Sequence, residues 1–135
     1  MPDKLCFDDI LVGHWIKFKY DIKKSYSKEK QHYLFKVEDT IHYRSLVEDE
    51  YSYYEKLIIT TEQDEHSLEN FLKLRDEFDV DKLIENKIVL QWNSRHKKYL
   101  VLDGCHRLAI IMYKKLYNNN ELNLDWFELK NKPKK

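Results

Sequence analysis

The feature that most constrains the fold is a junction between a short apolar segment and a helical pattern. Residues 99–102 have the length and composition of a buried strand, and residues 108–117 have helical periodicity. Between them lie Asp103, Gly104, Cys105, His106 and Arg107, in a chain with only two glycines. Glycine lets the backbone turn sharply and approach a ligand closely. The helix start that follows offers backbone N–H groups and a partial positive charge. The junction therefore predicts a strand–turn–helix unit that can hold a phosphate or another small anion.

Apolar periodicity elsewhere predicts the elements that surround this unit. Strands are expected at 16–20, 33–37, 58–61, 87–92 and 122–126, and helices at 45–57 and 67–78, the latter capped by Ser67. Residues 93–98 read as a hairpin connection, whereas 21–31 and 62–66 read as polar loops. The order predicts a single α+β domain over residues 1–135, with a small mixed sheet and helices packed on one of its faces.

Composition narrows the classes of partner and compartment. The 135-residue chain carries 24 basic and 24 acidic residues, so its formal charge is zero, which argues against a protein that binds nucleic acid by bulk charge. Cys6 and Cys105 form neither a disulfide framework nor a CxxC metal pair. The sequence therefore leaves the identity of any bound metal open. No signal peptide and no apolar run of about 20 residues is evident, so no membrane partner is expected. We expect a cytoplasmic protein with reduced thiols, and the oligomeric state stays open.

The strand, the Asp-Gly-Cys-His-Arg-Leu-Ala segment and the helix after it resemble the ParB/sulfiredoxin superfamily. Gly104 and Arg107 match the Gly-x-x-Arg turn that opens a helix in that family. Cys105 and His106 are similar to the Gly-Cys-His-Arg of sulfiredoxins, whereas Asp103 is similar to the Asp-Gly-x-His-Arg forms of free serine kinases. The resemblance covers residues 57–129, and residues 1–56 have no counterpart in it.

The resemblance implies a turn that binds nucleoside phosphates, with ATP or ADP as the expected cofactor, CTP as a possibility, and Mg²⁺. It implies a kinase that phosphorylates a hydroxyl group of a small-molecule substrate. Residues 1–56 lie outside the resemblance, and a role in shaping the acceptor pocket is an open hypothesis for them. Two alternatives stay open. One is a ParB-like nucleotide-binding module associated with DNA, and the other is sulfiredoxin-type, ATP-dependent repair with Cys105 as nucleophile.

The turn supplies the candidate nucleotide-binding residues Gly104, Cys105, His106 and Arg107. A guanidinium can fork across two phosphate oxygens, a geometry that lysine cannot reproduce. Cys105, at a helix start beside two cationic or donor residues, is expected to have a lowered pKa and thiolate character, although a small packing side chain is the alternative. Asp103 is a candidate catalytic residue that would hold a hydroxyl or Mg²⁺, unless it only caps the helix.

Glu65 and His66 are the other candidate catalytic residues. In the kinases that the chain resembles, an acidic residue near this helix start accepts the proton of the substrate hydroxyl, and Glu65 is the best match. The alternative is a charged loop that favours the helix start electrostatically. An aromatic group either lines a substrate pocket or packs in the core, and the tryptophans are expected in the core. The group contains His42, Tyr43, Tyr51, Tyr53 and Tyr54; the tryptophans are Trp15, Trp92 and Trp126.

Overall fold

A computed structural model describes residues 4–16, 18, 27–29, 32–61 and 67–132. Its strands are β1 (Ile10–Trp15), β2 (Ser27–Glu29), β3 (His32–Lys36), β4 (Ile88–Asn93), β5 (Lys98–Asp103) and β6 (Phe127–Lys130). Its helices are α1 (Ile41–Glu48), α2 (Ser52–Thr61), α3 (Leu68–Asp76), α4 (Lys82–Glu85) and α5 (Cys105–Tyr113). The strands form one sheet in the order β2-β3-β1-β5-β4-β6, so the predicted α+β class with a mixed sheet is confirmed.

The sheet joins two antiparallel units through a parallel pair. β1 runs antiparallel to β3, and β4 forms the predicted hairpin with β5, whereas β1 and β5 run parallel to each other. β6 adds a second parallel pairing, with β4. Because β1 and β5 are parallel neighbours, their carboxyl ends meet at the same edge of the sheet. The turn that follows β5 therefore opens beside the end of β1.

Helix α5 is buried on more than one side. Leu108 and Ile111 pack into an apolar cluster with residues of β1 and β4, whereas Ala109 and Ile110 pack with residues of α1, α2 and α3. Each of these four side chains is almost inaccessible to solvent. The continuous run of four apolar residues, rather than an amphipathic stripe, is the pattern expected of a helix enclosed in this way.

The predicted helix over 45–57 is wrong, because two helices occupy that part of the chain. Thr40 caps α1 by accepting the Tyr43 N–H at 3.1 Å, so the helix begins at Ile41. It ends at Asp49, whose φ of 51° is left-handed and stops the helical path. The predicted strand at 58–61 is wrong as well, because those residues form the last turns of α2.

Three expectations about strands also need correction. The first strand ends at Trp15 instead of covering 16–20, of which only Ile16 and Phe18 are described. The 21–31 loop contains β2, and its other residues lie outside the described part of the chain. The final strand is β6, whereas Leu124–Trp126 is a 3-10 turn. The prediction that Trp15 lies in the core is wrong: it is 53% exposed, because burial alternates only over the last residues of β1, where His14 is buried and Gly13 and Trp15 are exposed.

The structure confirms Ser67 as a helix cap, since its hydroxyl accepts the Asn70 N–H at 3.3 Å. Among the described residues, no helix combines the length and the apolar character that crossing a membrane requires.

Candidate functional site

Gly104 makes the turn between β5 and α5. Its φ of 107° lies in the left-handed region, which side-chain-bearing residues rarely adopt. A Cβ at this position would lie 2.9 Å from Nη2 of Arg107 and 3.0 Å from Cγ1 of Ile88, a fully buried residue. The predicted sharp turn at Gly104 is therefore confirmed, and both backbone conformation and space favour glycine there.

A cavity of about 450 Å³ opens beside this turn. Its walls come from the middle of β1, from the end of β5, from the first turn of α5 and from one face of α3. The lining residues are Val12, Gly13, Asn70, Phe71, Leu74, Val101, Leu102, Asp103, Gly104, Cys105, His106 and Arg107. The first hydrogen bond of the helix runs from the Leu108 N–H to the Gly104 carbonyl. The backbone N–H groups of the three residues between them are therefore not used by the helical ladder.

Arg107 forms part of the wall between this cavity and a neighbouring groove. Its guanidinium donates to the backbone carbonyls of Asn86 and, at 3.5 Å, of Lys87, in the segment before β4. It also lies 3.5 Å from the Asp103 carboxylate, and only 14% of its side chain is exposed. Burial lowers the pKa of Arg107, partly opposed by Asp103. The arginine thus ties the turn to the β4 segment, a structural role that the sequence did not predict.

Asp103 does not cap α5, because Gly104 occupies the N-cap position. Its carboxylate lies at the end of β5 with 70% of the side chain exposed. Since it lines the cavity, it remains available to a ligand there.

Cys105 and His106 meet a third residue, His42 of α1. The Cys105 Sγ lies 3.7 Å from Nε2 of His42 and 3.6 Å from Nδ1 of His106. Both histidines are buried, with 3% and 7% of their surface exposed. Each of the three residues lies in the first turn of its helix. The packing of α1 against α5 therefore brings one thiol and two imidazoles into direct contact.

The expectation of a lowered pKa for Cys105 is wrong. The residue keeps some exposure, but burial of the thiol group raises its pKa to about 12. The Asp103 carboxylate adds to this shift, whereas the backbone N–H groups of His106 and Cys105 and the Arg107 cation oppose it. Desolvation of the charged form outweighs the helix start. At neutral pH the thiol is protonated, so it lacks the thiolate that a sulfiredoxin-type nucleophile requires.

Tyr54 and His14 hold the two histidines in place. The Tyr54 hydroxyl lies 2.8 Å from Nε2 of His106, which leaves Nδ1 of that ring directed at Cys105. The His14 ring stacks on His42 with centroids 5.1 Å apart, while its Nε2 accepts the Ile41 N–H. Burial lowers the pKa of His14 to about 3, so this acceptor persists at neutral pH. Of the predicted aromatic group, Tyr54 and His42 are core residues, whereas Tyr53 is largely exposed.

The predicted turn residues Asp103 to Arg107 come together at the cavity, whereas Glu65 and His66 lie outside the described residues. The sequence indicated His42 only as a member of an aromatic group, and it gave no sign that Asn70 lines a cavity. Both reach the site through packing of separate helices, and neither carries a local motif that signals this.

No model of a protein family, no curated protein and no solved structure matches this chain.

Proposed function

We propose that the protein is a nucleotide-dependent phosphotransferase that holds the phosphates of ATP or ADP at the first turn of α5 and phosphorylates a hydroxyl of a small molecule. The observation that carries the proposal is the opening of the Gly-x-x-Arg turn into a cavity of about 450 Å³. That volume lies in the range of ligand pockets in proteins, roughly 300–1,000 Å³. We also propose that the ParB/sulfiredoxin-like relationship and a cytoplasmic location go with this function.

The phosphates would bind where the helix start presents its N–H groups. Gly104 lacks a side chain that would cover them, and Cys105 to Arg107 contribute the first three helical N–H groups. Arg107 would add charge from the wall. Its contacts to Asn86, Lys87 and Asp103 leave further guanidinium N–H groups for a phosphate oxygen.

The acceptor side of the reaction requires a base and a metal-binding carboxylate. Asp103 lines the cavity, and an exposed carboxylate is a suitable ligand for nucleotide-bound Mg²⁺. Glu65 remains the proposed base, with His66 beside it. Glu65 lies two residues before Ser67, the cap of α3, in the sequence. That helix contributes Asn70, Phe71 and Leu74 to the cavity.

A thermal-shift screen of ATP, ADP, CTP and GTP with Mg²⁺ would identify the nucleotide, and calorimetry would then measure its affinity. We expect Arg107→Ala to weaken binding at least tenfold. The nucleotide affinity of Arg107→Lys should fall between those of the unmutated protein and Arg107→Ala, because lysine keeps the charge but not the forked geometry. Arg95→Ala is the matched control, since Arg95 is exposed in the β4–β5 turn and its loss makes the same change in net charge. Equal affinities for all variants, or no binding of any nucleotide, would refute the proposal.

A further inference from the structure

Three potential metal ligands converge beside the cavity, which two of them, Cys105 and His106, line. The Sγ of Cys105 and one nitrogen each of His42 and His106 all lie within 4.8 Å of one another. They come from two helices, α1 and α5, and the contacting residues His42 and Cys105 are 63 residues apart in the sequence. The resemblance to nucleotide-binding turns does not account for this cluster, because His42 lies in the part of the chain that the resemblance does not cover.

We propose that His42, Cys105 and His106 form a binding site for a zinc-type transition-metal ion. In tetrahedral zinc sites the Zn–S distance is about 2.3 Å and the Zn–N distance about 2.0–2.1 Å, which places sulfur and nitrogen about 3.6 Å apart. The two sulfur–nitrogen distances here are 3.6 and 3.7 Å. The thiol and the imidazoles thus already have the spacing that one shared ion would impose.

The orientation of His106 supports the same assignment. A histidine that binds metal through one ring nitrogen generally uses the other in a hydrogen bond that fixes the ring. Nε2 of His106 is 2.8 Å from the buried Tyr54 hydroxyl, and Nδ1 faces the sulfur. His42 is likewise restrained, between the stacked ring of His14 and the edge-on ring of His106 at 4.3 Å. The ligand atoms are therefore held by packing, so little side-chain entropy is lost on binding.

The ligand set selects the kind of ion. One thiolate sulfur and two imidazole nitrogens suit Zn²⁺ and its substitute Co²⁺, whereas Mg²⁺ prefers oxygen ligands. The Cys105 thiol, which is protonated in the metal-free protein, releases its proton to solvent when the ion binds. This site is therefore distinct from the proposed Mg²⁺ position at Asp103. Cys105 and His106 also line the cavity. Three protein ligands beside a cavity leave a fourth position for water or a substrate oxygen, as in catalytic rather than structural zinc sites.

The test is a titration of the metal-free, full-length protein with Co²⁺ alone, followed by absorption spectroscopy. We expect one equivalent to produce the intense visible bands of tetrahedral cobalt and a thiolate-to-cobalt charge-transfer band, both removed by added Zn²⁺. Cys105→Ser should abolish the charge-transfer band and weaken binding at least tenfold. Cys6→Ser, which removes the other cysteine in the chain, should leave both unchanged. No nucleotide is present, so this result is independent of the proposed phosphotransferase.

Absence of the charge-transfer band in the unmutated protein, or its persistence in Cys105→Ser, would overturn the proposal. X-ray absorption of the unmutated zinc-loaded protein decides the matter if the variant does not fold. One sulfur at about 2.3 Å and two nitrogens at about 2.0–2.1 Å would support the site. A shell of nitrogen and oxygen alone would refute it.

Discussion

Replacing Gly104 by alanine should destabilise the protein far more than the same change at its other glycine. At Gly104 the new Cβ meets two obstacles, a φ of 107° and Ile88 carbons at 3.0 and 3.1 Å. Backbone strain in such a region costs about 1–3 kcal/mol, and crowding a packed core costs about 1–3 kcal/mol. Because Ile88 is fully buried and cannot move aside, we expect a loss of about 2–4 kcal/mol in the free energy of unfolding.

Gly13→Ala is the matched control. Its Cβ would lie 2.4 Å from Nε2 of His32, but that atom is the end of a side chain that can rotate away. Both changes restrict the unfolded chain equally. The difference between the two losses in free energy of unfolding therefore measures the strain and crowding at Gly104 in the native state. Urea denaturation measures both, with unchanged m-values as evidence that the unfolded state is the same. Equal losses for the two variants would contradict the role assigned to Gly104.

Three further predictions concern the histidine cluster and a helix cap. His14 is neutral when folded because burial lowers its pKa from 6.5 to about 3, with His32 adding to the shift and the His42 ring stacked against it. Its contribution to stability is complete above pH 6.5 and is lost as the pH falls toward 3. Between pH 4 and 6, the free energy of unfolding of the unmutated protein should therefore fall by about 1.4 kcal/mol per pH unit more steeply than that of His14→Gln, as measured by urea denaturation. Identical slopes for the two proteins would refute this. Tyr54→Phe should weaken cobalt binding about 10–100-fold while keeping the charge-transfer band, and an unchanged affinity would show that Tyr54 does not position His106. Ser67→Ala should lower the free energy of unfolding by about 1 kcal/mol, and no change in the denaturation midpoint would contradict the capping role.

The sequence was informative where local chemistry decides the structure. The β5–α5 turn is specified by the apolar strand before it, by Gly104 and by the helix after it, without help from distant residues. The Ser67 cap and the β4–β5 hairpin were also readable, because a cap depends on neighbours and a hairpin on a short polar connection.

The features that the sequence did not predict depend on contacts that no local pattern encodes. The break at Asp49 relies on a left-handed residue that is not glycine, so the apolar spacing on both sides reads as one helix. The pKa of Cys105 depends on desolvation by its tertiary surroundings, which outweighs the favourable helix position. His42 reaches Cys105 only through the packing of α1 against α5.

The most direct test of the proposed function is to locate the nucleotide on the protein by amide chemical shifts. The ¹H–¹⁵N spectrum of the unmutated protein would be followed during titration with ADP and Mg²⁺. We predict that the largest shifts belong to Gly104, Cys105, His106 and Arg107, which form the start of α5 and line the cavity. Saturable shifts confined to other parts of the chain, or no shifts at millimolar ADP, would contradict the assignment of this turn as the phosphate site.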